Sequence, residues 1–447
     1  MIDRMNGFLN VTTAFNSSDD RTLDNLSSAY SNGDLLVAAI RKSIGASLTG
    51  NDIKGRRILL KPNWVKHSKS TTDEICLCTN NNFIIAALKV ILEMGPSEVL
   101  IGDAPIQGCK WDRMISASFL NGINKLSQEY NILVQLKDFR RRIYNFTDNS
   151  PLSGIRPLSD YLIFDLGRDS LLEHVTTPGQ TKFRVTNYDP DLMSYAHGPG
   201  IHKYCIAREF FDADIVISLP KIKTHQKTGI TGALKNLVGI NGDKDFLPHH
   251  RIGGTKMGGD CYPGGSCLRY WSELSLDNAN RRQGRKSFWF WQKLSSLLWR
   301  LSLPGPEHNI AAGWYGNDTT WRMVMDLNKI AEYGNADGTL SVDPQRRIFS
   351  LCDGIIAGQG DGPLEPQPLP LGIISFTDNS VTNDRAMALL IGLPLKKIQL
   401  LNNNSLNREL DCEITMNGGK ITLEDLIQYS IKAIPPKGWA GYFKEIK

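Results

Sequence analysis

Several familiar signatures are missing from this sequence, and each absence removes a class of function. Met1 to Asp20 is polar and mixed, without the apolar core of roughly 7–15 residues that a secretory signal carries. No apolar run reaches the ~18 residues needed to cross a bilayer. Both absences point to a cytoplasmic protein. No G-x-G-x-x-G follows the early strand-like segments, which argues against hydride transfer from a dinucleotide. Gly358–Pro363 (GQGDGP) lacks the lysine and hydroxyl that follow the glycines of a P-loop, so it reads as a turn. Repeats and low-complexity tracts are absent. With 51 basic and 46 acidic residues the net charge is only +5, and no dense basic stripe exists, so nucleic acid is not an expected partner. Eight cysteines are scattered over 447 residues, unlike a disulfide scaffold, and reduced thiols are expected.

What is present suits a globular chain of about two domains, with 41% hydrophobic and 22% charged residues. Arg57–Leu60, Val99–Gly102 and Ile132–Leu136 read as strands, and Phe83–Met94 as a helix. Ala213–Leu219 is a continuous apolar run closed by Pro220, as expected of a strand buried on both faces. Ile230–Val238 reads as a short helix. Later, Trp321–Tyr333 and Asp384–Ile391 read as helices, and Arg347–Cys352, Gly372–Phe376 and Lys397–Leu401 as strands. The expected fold is α/β: two α/β domains with mainly parallel sheets, Rossmann-like, and an active-site cleft between them. The divisions read are 1–139, an irregular bridge or insertion at 140–210, a core motif region at 211–278, a Trp-rich basic insertion at 279–306, and a C-terminal α/β part at 307–447.

Chemistry concentrates between Pro220 and Arg251. Lys221 and Lys223 alternate in an extended segment at a strand's carboxyl end, where open α/β sheets place ligands, and are expected to hold an anion together. Thr228–Gly232, with Thr231, supplies flexible backbone before a helix that carries Lys235 and Asn236. Lys235 lies ten positions beyond His225, and Lys244, His249 and His250 follow. Imidazoles are general bases and metal ligands, and a desolvated lysine is a nucleophile. The expected catalytic set is therefore His225, Lys235, His249 and His250, and the three histidines are also the candidate ligands for a divalent nickel, iron or zinc ion. Lys61 and Asn63 in Lys61-Pro62-Asn63, and Asp103 after Val99–Gly102, stand at other strand ends and are read as substrate-binding, with Lys244 and Arg322. A surface ion pair of Arg322 with Asp326 is the simpler expectation for that helix.

Two resemblances follow from these residues. The run Asp214–His225 (DIVISLPKIKTH) with Thr231–Gly239 (TGALKNLVG) resembles the domain of unknown function 362 family. Lys61–Asn63, Thr71–Asp73, Gly102–Pro105, Asp353-Gly354, Gly360–Pro363 and Ser380–Gly392 are similar to its other motifs. Many of its members carry a ferredoxin-type cluster, but the CxxCxxCxxxC run is missing here, so an iron–sulfur cluster is not expected. More distantly, His225, Gly229, Gly232, Lys235 and His249 or His250 resemble the order found in the nickel-pincer lactate racemase family. That resemblance implies a covalent cofactor on Lys235 and nickel held by the later histidine. The arginine-bearing N-terminal motif of those racemases is not evident. Together these readings imply an enzyme acting on a small carboxylate- or phosphate-bearing substrate, by proton transfer or redox chemistry. Arg281–Leu301, with four tryptophan or phenylalanine residues in succession at 288–291, gives the alternative: a membrane-peripheral or subunit contact made by a non-catalytic scaffold.

Overall fold

Buried apolar strands of the first half pair directly with one from the second half. The computed structural model describes residues 7–14, 21–68, 75–144, 155–302, 312–403 and 412–444. Its strands form one twelve-stranded sheet and two small ones. Along the large sheet the order is Gly419–Ile421, Cys412–Met416, Gly7–Thr13, Ile373–Thr377, Arg347–Asp361, Ile215–Leu219, Arg57–Pro62, Glu98–Asp103 and Leu133–Asp138. Lys221–His225 and Glu365–Leu369 branch from the long 347–361 strand, and Gly229–Thr231 pairs with Lys221–His225. From Arg347–Asp361 to Leu133–Asp138 every pairing along the path is parallel. Beyond it, Ile373–Thr377 and Gly7–Thr13 join antiparallel.

The fold is thus α/β, as expected, but the two expected sheets are joined. Ile215–Leu219 lies between Arg57–Pro62 and Arg347–Asp361 and bridges the halves. Side chains alternate across it. Ile58, Leu60, Ile215 and Ile217 face one core with helices Gly33–Ile44, Asn81–Leu92 and Ala117–Tyr130. Leu59 and Val216 face the other, beneath helices Thr320–Tyr333 and Ser380–Leu390. Two covered faces explain the near-continuous apolar character of these strands.

Several local expectations change. The expected helix Ile230–Val238 begins as a strand, Gly229–Thr231, because β-branched Ile230 and Thr231 pair across to Thr224 and Lys223. The helix proper is Ala233–Asn236, running into a 3₁₀ turn at Leu237–Ile240. Gly358–Asp361 is the end of the 15-residue strand Arg347–Asp361, not a turn. Lys397–Leu401 is not a strand: two 3₁₀ turns, Leu395–Lys397 and Gln399–Leu401, bury Ile398, Leu400 and Leu401 without sheet pairing. The 140–210 stretch contains a three-stranded antiparallel sheet built on Tyr161–Asp165 and Ile201–Ala207. The Trp-rich helix Phe288–Leu301 pairs with Cys267–Asn280, so the excursion starts earlier than residue 279. Ser272 Oγ donates to the Ser295 carbonyl at 2.7 Å where the two helices meet. Thr71–Asp73 lies outside the described residues, and no helix among the described residues is long and apolar enough to cross a membrane.

Candidate functional site

Parallel pairing brings three strand ends level, with Leu60 opposite Ile101 and Lys61 opposite Ser218. Lys61 Nζ donates to Asp103 Oδ1 at 2.8 Å and to the Pro62 carbonyl at 3.1 Å. Asp103 Oδ2 accepts the Trp64 N–H at 2.7 Å. Burial pushes the Asp103 carboxyl up and the Lys61 amine down, and the attraction between them opposes both shifts. Asn236 Nδ2 donates to the Lys61 carbonyl at 3.1 Å and to Ser218 Oγ at 2.8 Å. Gly239 is pressed onto this group, since a Cβ there would fall 1.8 Å from Asp103 Oδ1. Lys61, Asp103 and Asn236, expected to hold substrate, instead hold one another and fix the strand ends.

The expected anion-holding pair divides in the same way. Lys221 Nζ donates to Asp353 Oδ2 and to the Tyr30 hydroxyl, both at 2.9 Å, and is fully buried. Asp353 Oδ2 also accepts the Asn80 N–H at 3.0 Å. Lys221 therefore belongs to the framework. Lys223, two residues on, has no carboxylate at hydrogen-bond distance among the described residues: its amine donates to the Leu77 carbonyl, and burial lowers its pKa to about 8.

Around Lys223 the sequence gathers like charges. Lys235 is brought to a pKa of about 7 by burial first, and then by Lys223, Lys244 and Lys227. Among the described residues its amine has no hydrogen-bond or ion-pair partner. Lys227 and Lys244 are each lowered to about 8, chiefly by burial. Lys244 Nζ reaches the Asn241 carbonyl at 3.3 Å. The turn that carries Lys235 is held from outside the motif. Asp384 accepts the N–H groups of Ala233 and Leu234 at 2.6 and 3.0 Å, and a Cβ on Gly232 would fall 2.2 Å from Asp384 Oδ1.

Two histidines share this neighbourhood, and the backbone gives them opposite protonation patterns. His225 Nδ1 accepts the N–H groups of Lys227 and Thr228 at 3.0 and 3.1 Å, so its proton sits on Nε2. His249 Nδ1 lies 2.7 Å from the Leu247 carbonyl, so Nδ1 carries the proton and Nε2 keeps a lone pair. Burial, then the lysines, drives both well below the ordinary histidine pKa, so both are neutral at pH 7. One offers a donor and the other an acceptor.

The expected metal set of His225, His249 and His250 does not come together. His249 and His250 are neighbours in extended chain and point to opposite sides. His250 turns to Glu273 and Cys261 instead. Arg322 is also elsewhere: it pairs with Asp318, not Asp326, and donates to the Leu171 carbonyl at 3.2 Å. Asp326 is buried, accepting from the Tyr204 hydroxyl at 2.8 Å. Asn63 Oδ1 and Thr231 Oγ1 are buried without a hydrogen-bond partner. Sequence reasoning missed Lys227, which lay inside the stretch it singled out. It also missed Asp384, whose only signal was its place in the 380–392 motif.

Comparison with known proteins adds the following. No curated protein matches the chain. A crystal structure of a protein from Thermotoga maritima, a structural genomics target, is similar with a TM-score of 0.33 and 9% identity over 78% of this chain. The chain spans 56% of that protein's length. Residues 175–389, which contain the whole lysine and histidine cluster, match the family described as Domain of unknown function (DUF362). The resemblance of Asp214–His225 and Thr231–Gly239 to the domain of unknown function 362 family is borne out over that region.

Proposed function

We propose that the chain is a cytoplasmic enzyme that binds a small carboxylate- or phosphate-bearing substrate among Lys223, Lys227, Lys235 and Lys244. One observation carries this reading: half-buried Lys235 is crowded by three other lysines, of which Lys223 and Lys244 are buried, with no carboxylate partner of its own among the described residues. Buried charge is ordinarily paired, and unbalanced cations in a low-dielectric site favour an anion strongly. At neutral pH Lys235 is about half deprotonated, which suits a nucleophile or a proton acceptor. His225 Nε2–H would donate to the substrate and His249 Nε2 would accept a proton, so the reaction class favoured is proton transfer.

Isothermal titration of the full chain with inorganic phosphate, pyrophosphate and a panel of small dicarboxylates tests the proposal. At least one should bind, with affinity reduced about tenfold or more in Lys235→Met and unchanged in exposed Lys420→Met. The absence of millimolar binding by every probe would overturn it.

A second reading is favoured by the helix Phe288–Leu301. Trp289, Phe290, Leu297 and Leu301 are exposed there, and Trp271 on the partner helix is 59% exposed. With Arg281, Arg282, Arg285 and Lys286 at the hairpin tip, this face suits an anionic membrane surface.

A further inference from the structure

The loop from His250 to Ser266 is glycine-dense, and the glycines have a structural reason. A Cβ on Gly254 would fall 2.2 Å from the Gly264 carbonyl, and one on Gly259 would fall 2.2 Å from the carbonyls of Ile252 and Gly253. Only backbone without side chains packs this closely. Cys261 N donates to the Gly253 carbonyl at 3.1 Å and Asp260 N to the Arg251 carbonyl at 3.3 Å. These bonds lay the Cys261 segment against the His250 segment. The helix Cys267–Asn280 then brings Glu273 against both, and Gly253 N donates to Glu273 Oε2 at 2.8 Å.

The result is a buried trio of mixed donors. His250, Cys261 and Glu273 are 3%, 2% and 7% exposed. Each offers one ligand atom, and the three atoms lie within 4.8 Å of one another. His250 Nε2 is 3.4 Å from Glu273 Oε1. Glu273 Oε1 is buried with no hydrogen-bond partner, although His250 Nε2 and the Cys261 thiol both face its carboxylate. Such an orphaned atom is rare in proteins and calls for a missing partner. In a tetrahedral site with bonds of about 2.0–2.3 Å, ligand atoms stand about 3.3–3.8 Å apart, a modest contraction from the present spacing.

We propose that His250, Cys261 and Glu273 bind a divalent transition metal of the zinc type, with a fourth position open to water or another ligand. A nitrogen, a thiolate and a carboxylate form a borderline donor set that suits zinc, and harder calcium or magnesium would not choose a thiolate. The ion's two charges balance the thiolate and the carboxylate, leaving a neutral centre in the interior. The site is separate from the lysine cluster, although Lys227 approaches Cys261 from that side. It stands whether or not that cluster binds an anion.

The test uses the full chain, loaded with zinc, dialysed and analysed by elemental mass spectrometry, and separately loaded with cobalt for absorption spectroscopy. About one equivalent of zinc should be retained, and cobalt should give a thiolate charge-transfer band in the near ultraviolet. Cys261→Ser should abolish the band, and Glu273→Gln should weaken zinc binding by about tenfold or more. Cys267→Ser, at an exposed neighbouring cysteine, should keep both signals. Should Cys261→Ser fail to fold, the wild-type spectrum decides alone. Loss of zinc on dialysis, or bound cobalt without a thiolate band, would overturn the proposal.

Discussion

Two kinds of lysine are found in this molecule, and their neighbours separate them. Lys61 and Lys221 each face a carboxylate at hydrogen-bond distance. Lys235 faces other lysines, and its pKa falls from the ordinary 10.5 to about 7. Between those values the unfolded chain holds a proton that the folded chain lacks, so folding is favoured as pH rises through that window. Below pH 7 the folded chain carries the whole cost of the crowded charge. Lys235→Met should therefore stabilise the protein at pH 7 by roughly 1–2 kcal/mol, with the gain shrinking steadily toward pH 10. Urea unfolding across that range measures it, and a gain independent of pH would refute the assignment.

At the scale of elements, the helix Ala233–Asn236 is too short to stand alone and depends on Asp384 at its amino end. Helix Ser380–Leu390 thus positions Lys235 across about 150 residues of sequence. The Cys267–Asn280 and Phe288–Leu301 hairpin has the opposite character, with one apolar face left exposed. Wild-type protein should float with vesicles rich in anionic lipid, and the double variant Phe290→Ser, Leu297→Ser should remain in the pellet fraction with its fold intact. Equal behaviour of the two proteins would remove the membrane reading in favour of a subunit contact.

For the whole molecule, the sequence carries some parts openly and hides others for physical reasons. Ile215–Leu219 was legible because burial on both faces leaves an unbroken apolar run. Asn81–Leu92 was legible from its helical spacing and its end at Gly95-Pro96. Gly7–Thr13 was not, because its identity as a strand comes from partners more than 360 residues away, Ile373–Thr377 and Cys412–Met416. Lys223, His225, Lys235, Lys244 and His249 were singled out by spacing and do gather. Lys221 did not belong with them, since nothing local announces Asp353, which reaches it from another strand. Glu273 was invisible for the same reason: it lies on a helix whose approach to His250 is set by packing.

The crowding of Lys223, Lys227, Lys235 and Lys244 also makes the protein a proton reservoir. An anion settling among these amines would raise their affinity for protons, so at pH 8 capture would draw hydrogen ions from the solvent. The heat of binding measured in Tris should then differ from that in phosphate-free HEPES by the buffers' own ionisation heats, multiplied by the number of protons taken up. A slope of zero would mean that the lysines are already charged before the ligand arrives.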